Sequence, residues 1–364
     1  MSSGSNLLPP SEDQQQHARP PSSLTRTLIL GLLVGMGVTG HAAPVTLRVG
    51  HFPNVTHAQA VIGHGLSRQG RGWFEERLGP DVKIEWYVYN AGPAAMDAII
   101  TNAIDLTYVG PNPAINAHLQ SRGEEIRIVA GACSGGAALV VQSDGRIKTD
   151  ADFKNRRIAT PQFGNTQDIA ARAWLLSKGF RVSATGGDVS VMPTANPDQL
   201  ALFQTGDLDA VWTVEPWVSR LVLEAKGRVY LEEKSLWSQT AGRYVTTHLA
   251  SSVRFLTHEP ELLKKWIAAH VELTQWIVQH PGEAKTILNR EIKAETTKAL
   301  SKAILDNAWR RLELTYDPIQ ASLLKSAEDA HRIGFLQNEP NLSRIYDLDL
   351  LNEVLREKGL PEIR

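Results

Sequence analysis

The sequence predicts a two-lobed α/β protein in which each lobe is a mostly parallel sheet flanked by helices. First, short apolar runs alternate with helical patterns from residue 45 onward, as in parallel strands joined by crossover helices. Second, a length of 364 residues suits about two domains. Third, one helix–strand pattern occurs in each half of the chain, and a mostly helical region follows the second copy.

The composition is that of an ordinary globular protein, with 42% hydrophobic and 21% charged residues. The formal net charge is −1, so no global field attracts nucleic acid or an acidic membrane, and we expect no nucleic-acid partner. Cys133 is the one cysteine, which excludes a disulfide within the chain. Export to an oxidising compartment is still compatible with this composition, because a protein with a large hydrophobic core does not need a disulfide bond for stability.

Residues 1–43 are predicted to be a signal peptide with a polar extension. Arg19 and Arg26 precede an apolar run at residues 28–38, which is far shorter than the roughly 20 residues that span a bilayer. Small residues after this run suit cleavage behind Ala42. The sequence therefore predicts a periplasmic protein. The alternative is an uncleaved anchor, and a lipid anchor is disfavoured because no cysteine follows the run.

The first lobe is predicted to begin with residues 44–140. Strands are expected at 45–50, 82–89, 104–109, 126–132 and 137–142, and helices at 58–66 and 93–101, because apolar runs of strand length alternate there with helical periodicity. The sequence Ser134-Gly135-Gly136 separates the last two strands.

The second lobe is predicted over residues 141–246, and residues 247–364 are predicted to return to the first lobe. Strands are expected in the second lobe at 157–159, 189–192 and 208–214, with helices at 168–178, 197–204 and 216–225. The returning part contains predicted helices at 259–279, 281–289, 295–311 and 318–333, which would pack on the first lobe. Crossovers between the lobes are expected near 139–143 and 244–249.

An internal repeat supports two similar lobes. In the first half a helix leads to Asp105, an apolar strand and a helix that starts at Pro111. In the second half a helix leads to Asp209, an apolar strand and a helix that starts at Pro216. A pattern seen only twice indicates paired lobes and not a solenoid.

The segments that follow the strands are the predicted ligand site. Ligands of open parallel sheets bind beyond the carboxyl ends of the strands, where helix N-termini favour anions. In the first lobe the candidates are Thr56, His57, Gln59, Asn112, Ser134, Gly135 and Gly136. Thr56 and Gln59 have capping-box spacing, so the alternative is that they cap a helix and His57 is structural. For residues 134–136 the alternative is a plain bend.

The candidates in the second lobe are Asn165, Thr166, Gln167, Thr213, Glu215 and Trp217. Trp217 would supply an apolar wall, and Glu215 would accept a hydrogen bond, unless it only complements a helix dipole. The candidate loops contain no lysine or arginine. Neutral donors of this kind suit a delocalised oxyanion such as a sulfonate better than a phosphate dianion.

Several chemistries have no motif in the sequence. There is no phosphate-binding loop, dinucleotide fingerprint, cysteine pair, His-Glu-x-x-His or Gly-x-Ser-x-Gly sequence. Cys133 lies among small residues and is interpreted as a buried thiol. The sequence therefore offers no motif for a cofactor or a metal site, and we expect neither.

The motifs together resemble the periplasmic binding proteins for aliphatic sulfonates, taurine, nitrate and bicarbonate, over residues 47–360. The resemblance rests on Gly50-His51-Phe52-Pro53-Asn54 with Thr56-His57-Ala58-Gln59, Asn90-Ala91-Gly92-Pro93, Gly110-Pro111-Asn112-Pro113, Ala159-Thr160-Pro161-Gln162 with Gly164-Asn165-Thr166-Gln167-Asp168, Glu215-Pro216-Trp217 and Thr246-Thr247-His248-Leu249.

This resemblance implies a type II periplasmic-binding fold and no catalysis. It implies a monomer that captures a small organic anion, in the first place an aliphatic sulfonate, and delivers it to the permease and ATPase of an ABC importer. Implied ligand contacts are His57, Gln59, Asn112, Ser134 to Gly136, Asn165 to Gln167 and Glu215. The alternatives are a nitrate-, bicarbonate- or thiamine-precursor-binding protein, a small-molecule enzyme on the same fold, and a sensory module.

Overall fold

Two β-sheets covered by helices make up the computed structural model, which describes residues 44–183 and 186–363. The predicted signal peptide at residues 1–43 lies outside the described residues. Within the described ranges no helix has both the length and the apolar character needed to cross a membrane.

The elements of the described ranges follow the predicted alternation of strands and helices. The strands are β1 (Val45–His51), β2 (Val82–Val88), β3 (Leu106–Val109), β4 (Ile126–Gly135), β5 (Ala137–Val141), β6 (Arg157–Thr160), β7 (Val182–Ser183), β8 (Gly186–Gly187), β9 (Ser190–Pro193), β10 (Ala210–Val214), β11 (Arg228–Glu232), β12 (Val245–Ser252) and β13 (Leu312–Leu314). The helices are α1 (Ala58–Arg68), α2 (Trp73–Leu78), α3 (Gly92–Ile100), α4 (Pro111–Gln120), α5 (Thr166–Ser177), α6 (Asn196–Thr205), α7 (Trp217–Glu224), α8 (Val253–His258), α9 (Pro260–Gln279), α10 (Pro281–Thr296), α11 (Lys302–Trp309), α12 (Gln320–Arg332) and α13 (Asp349–Glu357).

The two main sheets have the same internal arrangement. The first lobe contains the sheet β13-β4-β12-β3-β1-β2, and the second lobe contains the sheet β11-β5-β10-β6-β9. In each sheet three neighbouring strands are parallel, β2-β1-β3 and β9-β6-β10, and the remaining pairs are antiparallel. The two-lobed α/β fold and the internal repeat are confirmed. The sheets are mixed and not mostly parallel, because β12 and β5 enter their sheets from the other lobe and β13 adds an antiparallel edge strand to the first sheet.

A buried aspartate fixes the register of the parallel strands in each lobe. The carboxylate of Asp105 accepts a hydrogen bond from the backbone N–H of Arg48 at 2.9 Å, and its own N–H donates to the Arg48 carbonyl at 2.9 Å. In the second lobe, Asp209 accepts from the backbone N–H of Arg157 at 2.9 Å and donates to its carbonyl at 3.0 Å. The repeated aspartate therefore has the same structural role in both lobes.

Helices cover both faces of each sheet and bury its apolar side chains. Helices α1, α2, α9, α10, α11 and α13 pack on one face of the first sheet, and α3, α4 and α12 pack on the other. Trp266 stacks on Phe74 at 3.9 Å between ring centroids, in the largest part of this core. Helix α5 covers one face of the second sheet, and α6 and α7 cover the other. As predicted, most of the late helices stabilise the first lobe.

The prediction of one continuous helix at 295–311 is wrong, because the structure has the end of one helix and a separate second helix there. Helix α10 ends at Thr296, Thr297 has a left-handed φ of 65°, and α11 begins after Ser301. The side chain of Ser301 accepts a hydrogen bond from the backbone N–H of Ile304, which caps the new helix. The short elements α2, α13, β11 and β13 were not predicted, because six to nine residues give a weak periodic signal and three to five give less.

Two crossovers join the lobes and are bonded to each other. The first passes from β4 to β5 through Gly135 and Gly136, which have φ angles of 82° and 84° that favour glycine. This crossover comes a few residues earlier in the sequence than the predicted position near 139–143, since residues 139–141 belong to β5. In the second crossover, the Tyr244 hydroxyl accepts from the backbone N–H of Ala137 at 3.0 Å, and the Tyr244 carbonyl accepts from the N–H of Gly135 at 3.1 Å.

Replacing Asp209 with alanine is expected to destabilise the protein by about 1.5–3 kcal/mol, because hydrogen bonds to a buried charge are lost. Besides the Arg157 N–H, the variant leaves Arg146 without its 3.0 Å contact to the Asp209 carboxylate. Urea unfolding followed by circular dichroism measures the change. The control Asp207→Ala removes a carboxylate that is 60% exposed and should have little effect. Equal losses in both variants would contradict the assigned role.

Candidate ligand-binding site

Two connected cavities lie between the lobes, at the carboxyl ends of the parallel strands. The inner cavity has a volume of about 40 Å³, and the outer cavity has a volume of about 600 Å³. Residues that line both are Phe52, Asn54, Asn90, Ala91, Pro161 and Asn196. The two spaces are therefore adjacent parts of one cleft, and the names inner and outer cavity denote the smaller and the larger part.

Helix N-termini from both lobes meet at the inner cavity. Its lining includes residues that cap or start five helices: His57 for α1, Ala91 for α3, Gly110 for α4, Asn165 for α5 and Asn196 for α6. The first backbone N–H groups of a helix have no partner within it, and the helix dipole is positive at this end. The inner cavity therefore favours a negatively charged group.

Two buried polar atoms at the inner cavity have no hydrogen-bond partner among the described residues. They are Nδ1 of His57, from the first lobe, and Oγ1 of Thr166, from the second lobe. The two residues are 3% and 8% exposed. Since buried polar groups are nearly always paired, each atom is available to a ligand that enters between the lobes.

The inner cavity carries no formal charge at neutral pH. None of its described lining residues is a lysine, arginine or carboxylate. Burial lowers the pKa of His57 well below its ordinary value, and nearby His51 lowers it further, so the imidazole is neutral. An anion held here would be bound by dipoles and neutral donors, as the sequence predicted.

The lobes approach each other closely across the cleft. A methyl group added to Gly110 would lie 2.5 Å from Oγ1 of Thr166, although the φ of −71° at Gly110 suits any residue. A side chain at residue 110 would therefore require the Thr166 hydroxyl or one of the lobes to move. Nearby, Nε1 of Trp217 donates to Oδ1 of Asn54 at 3.3 Å, which adds a hydrogen bond between the lobes.

The outer cavity has an apolar wall with cations at its edge. Its apolar lining residues include Phe52, Leu200, Trp217, Ile292 and Leu300. The guanidinium of Arg220 lies 4.6 Å from the centre of the Trp217 ring, and Lys298 also lines the cavity. The volume falls within the range of about 300–1,000 Å³ that is usual for small-molecule sites.

Six of the predicted site residues line the cleft. Thr56, His57, Asn165, Thr166 and Gln167 line the inner cavity, and Trp217 lines the outer cavity. They come from both lobes, so the structure brings together groups that are more than 100 residues apart in sequence.

The other predicted site residues line neither cavity: Gln59, Asn112, Ser134, Gly135, Gly136, Thr213 and Glu215. Gln59 Nε2 donates to the Ala132 carbonyl at 2.8 Å, and Asn112 Nδ2 donates to the Ser326 carbonyl at 3.2 Å. Both side chains are buried and connect neighbouring elements of the first lobe.

Four of these residues belong to the first crossover, its neighbouring strand or the second sheet: Ser134, Gly135, Gly136 and Thr213. Gly135 and Gly136 form the first crossover, and Ser134 Oγ accepts from the Tyr244 N–H at 3.3 Å. Thr213 Oγ1 donates to Oδ1 of Asn196 at 3.2 Å, so it orients a residue that does line the inner cavity.

Glu215 is a buried carboxylate between the second lobe and the late helices. It accepts hydrogen bonds from the Ser219 hydroxyl at 2.9 Å and the Ser219 N–H at 3.1 Å, and it forms an ion pair with Arg311 at 3.3 Å. Burial raises the pKa of Glu215 to about 7, against the opposing effects of Ser219 and Arg311. Its position suits a structural ion pair between lobes.

Several cleft residues were not among the predicted candidates. They are Phe52, Asn54, Asn90, Ala91, Gly92, Gly110, Pro113, Pro161, Asn196, Val214 and Thr246 in the inner cavity. Asn196 follows β9 and begins α6, so the rule that selects polar residues after strands would have found it. Thr246 lies on β12, which returns from the second lobe, and no local pattern places it in the cleft.

The comparisons with known sequences give one family and two clear relatives. The model of the NMT1-like family matches residues 40–290. An aliphatic sulfonates-binding protein of Escherichia coli K12 is 28% identical over 211 residues, which are 57% of this chain and 61% of that protein. The taurine-binding periplasmic protein of the same organism is 23% identical over 199 residues, 54% of this chain and 58% of the relative. The chain thus spans about three fifths of the length of these relatives.

Solved structures with the same fold include binding proteins for different anions. The alkanesulfonate-binding protein of Xanthomonas axonopodis pv. citri, bound to MOPS, has a TM-score of 0.68 and 21% identity, and the match covers 84% of this chain and 99% of that one. The nitrate-binding protein of Synechocystis PCC 6803 has a TM-score of 0.72 and 16% identity, with 87% and 90% covered. At this identity the likeness supports the fold alone, the predicted type II periplasmic-binding fold.

The stability of the protein should depend on the ionisation of Glu215. The raised pKa means that the native state holds a proton between about pH 4.5, the ordinary value, and about pH 7. The free energy of unfolding contributed by Glu215 therefore decreases as pH rises through that window. Above about pH 7 this contribution no longer changes with pH. We expect Glu215→Gln to gain stability relative to the natural protein over the same window, by no more than about 3 kcal/mol.

Urea unfolding of both proteins at several pH values across the window measures this difference. The exposed Glu313→Gln serves as the control, since its side chain is 51% exposed, and its difference from the natural protein should stay flat. A flat difference for Glu215→Gln would contradict the assigned protonation.

Proposed function

Since the chain belongs to the NMT1-like family, we propose that it is the substrate-binding component of an ABC importer. It captures a small organic anion, in the first place an aliphatic sulfonate, between its lobes and delivers it to the permease and ATPase. The named relatives bind aliphatic sulfonates and taurine. The proposed ligand contacts are Thr56, His57, Asn165, Thr166, Gln167 and Trp217.

The observation that carries this proposal is the pair of unpartnered buried atoms in the inner cavity. Nδ1 of His57 and Oγ1 of Thr166 approach the same small space from opposite lobes. A neutral imidazole donates through one ring nitrogen, and an anion selects the tautomer that carries the proton on Nδ1. Together with the helix N-termini, these donors match the several acceptor oxygens of a sulfonate without any countercharge.

The outer cavity favours an organic anion over an inorganic one. The inner cavity of about 40 Å³ would hold the head group, and it shares six lining residues with the space of about 600 Å³ beside Trp217. Nitrate or bicarbonate would leave that space without an apolar occupant. An alkyl or aryl chain attached to the anion would bury apolar surface there, which is worth about 0.8 kcal/mol per methylene.

The proposed mechanism is closure about the two crossovers. The predicted lobe boundaries 44–140, 141–246 and 247–364 shift by a few residues, because β5 begins at Ala137 in the second sheet and β12 begins at Val245 in the first. The lobe of the first sheet and the lobe of the second sheet would turn relative to each other about Gly135 and Gly136. A ligand that contacts both lobes favours the closed state by its greater affinity for that state. The closed monomer then presents a defined surface to the permease.

Two further observations support transport in the periplasm rather than catalysis. The relatives are binding proteins, and one is periplasmic by name. Cys133 lies in β4 and is fully buried, and burial raises the pKa of its thiol, so the nucleophilic thiolate is disfavoured. These points weigh against an enzyme on the same fold that would use this cysteine.

A ligand panel tests the proposed function directly. The protein without its first 42 residues is titrated with alkanesulfonates of increasing length, taurine, nitrate, bicarbonate and a thiamine-precursor pyrimidine, by thermal shift and calorimetry. We expect alkanesulfonates to bind, with affinity rising about fourfold per methylene that enters the outer cavity. Mass spectrometry should recover the ligand unchanged. A response to nitrate or bicarbonate alone, or a product of new mass, would reject the proposal in favour of an inorganic-anion binder or an enzyme.

Replacing Thr166 with valine should weaken alkanesulfonate binding by about tenfold or more, since a hydrogen bond to a charged group is lost. Valine keeps the shape of threonine, and the lost hydroxyl has no partner among the described residues, so stability without ligand should change little. Thr257→Val, at an exposed position of α8, is the matched control. Equal affinity in both variants would show that the hydroxyl makes no ligand contact.

A further inference from the structure

A buried cluster of two histidines and a glutamate lies in the first lobe, outside the lining of both cavities. His51 is the last residue of β1, His64 is in the middle of α1, and Glu295 is near the end of α10. Their side chains are 0%, 9% and 1% exposed. The cluster therefore joins three elements through groups that are almost removed from water.

The three facing atoms form a nearly equilateral triangle. Nε2 of His51 lies 3.0 Å from Nδ1 of His64 and 3.2 Å from Oε1 of Glu295, and Nδ1 of His64 lies 2.9 Å from the same oxygen. Each atom holds one proton or one lone pair toward the triangle. If both nitrogens carry a proton, the two N–H groups face each other across the 3.0 Å edge, which is repulsive. If only one nitrogen carries a proton, the lone pair of the other faces the carboxylate, which is also repulsive.

A cation at the triangle makes all three contacts favourable at once. We propose that Nε2 of His51, Nδ1 of His64 and Oε1 of Glu295 bind a divalent transition-metal ion, with Zn²⁺ as the best match. Two imidazoles and one carboxylate are an established zinc ligand set. An ion about 2.0–2.1 Å from each atom, the usual zinc distance, would sit about 1 Å above the plane of the triangle.

The surroundings orient these ligands for a metal. Nδ1 of His51 lies 3.4 Å from the Phe52 carbonyl, which favours a proton on Nδ1 and leaves the lone pair on Nε2. The His64 ring stacks on Trp86 at 5.3 Å with 10° between the planes. The second oxygen of Glu295, Oε2, is buried and has no hydrogen-bond partner among the described residues. It is available as a further ligand atom.

A second carboxylate adds negative charge beside the triangle. Oε1 of Glu291 lies 3.4 Å from Nδ1 of His64, and it also accepts from Nε of Arg68 at 2.7 Å. Glu291 precedes Glu295 by one helical turn, so both carboxylates lie on the same face of α10. Because Arg68 already pairs with it, Glu291 is assigned a supporting role and not that of a ligand.

The metal would fix one wall of the cleft. Residue 52, directly after His51, lines both cavities, and Ile292 and Thr296 of α10 line the outer cavity. An ion that holds β1, α1 and α10 together would fix these parts of the lining relative to one another. The site itself does not depend on the identity of the transported ligand.

Metal analysis of the natural protein gives the primary test. Untagged protein is stripped with EDTA, titrated with Zn²⁺ against a chromophoric chelator, and analysed for bound metal after gel filtration. We expect one zinc ion per chain and a higher unfolding temperature with zinc. Replacing zinc with Co²⁺ should give the intense visible bands of a tetrahedral site, which reports the ligands independently of stability.

Variants separate metal ligands from structural residues. His64→Gln and Glu295→Gln should lose zinc binding by tenfold or more, whereas Glu291→Gln and the exposed His258→Gln should keep one zinc per chain. Circular dichroism confirms folding of each variant. If the natural protein holds far less than one zinc per chain, or if His64→Gln and Glu295→Gln bind zinc as it does, the cluster is a hydrogen-bonded structural group and the proposal is overturned.

Discussion

Gly110 of the first lobe and Thr166 of the second lobe lie close together across the cleft, and both line the inner cavity. A methyl group on Gly110 would lie 2.5 Å from the hydroxyl of Thr166, so the absence of a side chain at residue 110 permits this separation without any shift of Thr166. At that separation the helix N-termini of both lobes surround one small space. The proposed recognition of an anion by uncharged donors would depend on this proximity, because hydrogen bonds and dipoles act over short distances.

The cleft divides recognition between two physical effects. In the inner cavity, neutral donors and helix dipoles favour a delocalised negative charge, and the low pKa of His57 keeps the imidazole from adding a positive one. In the outer cavity, Trp217 and neighbouring apolar side chains offer surface to an organic substituent. For the proposed ligand, affinity for the head group and selectivity for the substituent would therefore depend on different residues.

The sequence predicted the fold and the location of the cleft, because both follow from local patterns. The aspartates Asp105 and Asp209 were visible as a repeat, and their matching bonds to Arg48 and Arg157 explain why the repeat predicts two equivalent lobes. His57 and Thr166 were predicted as site residues because each lies in a polar segment that follows a strand, which is again a local pattern.

What the sequence did not predict depends on orientation and on contacts between distant segments. Gln59 has the right spacing after β1, but it points into the first lobe and bonds to Ala132. The cluster of His51, His64 and Glu295 has no motif, because its glutamate is 231 residues from His64 in sequence. Only the packing of α10 on α1 brings these three side chains together.

The bonds between the two crossovers restrict how the lobes can move. Tyr244 accepts hydrogen bonds from the N–H groups of Gly135 and Ala137. The two crossovers are therefore bonded to each other side by side. A change of backbone conformation in one crossover must therefore be accompanied by a change in the other. Any closure of the lobes of the kind proposed above would have to change the backbone angles of both crossovers together, because the hydrogen bonds to Tyr244 connect them.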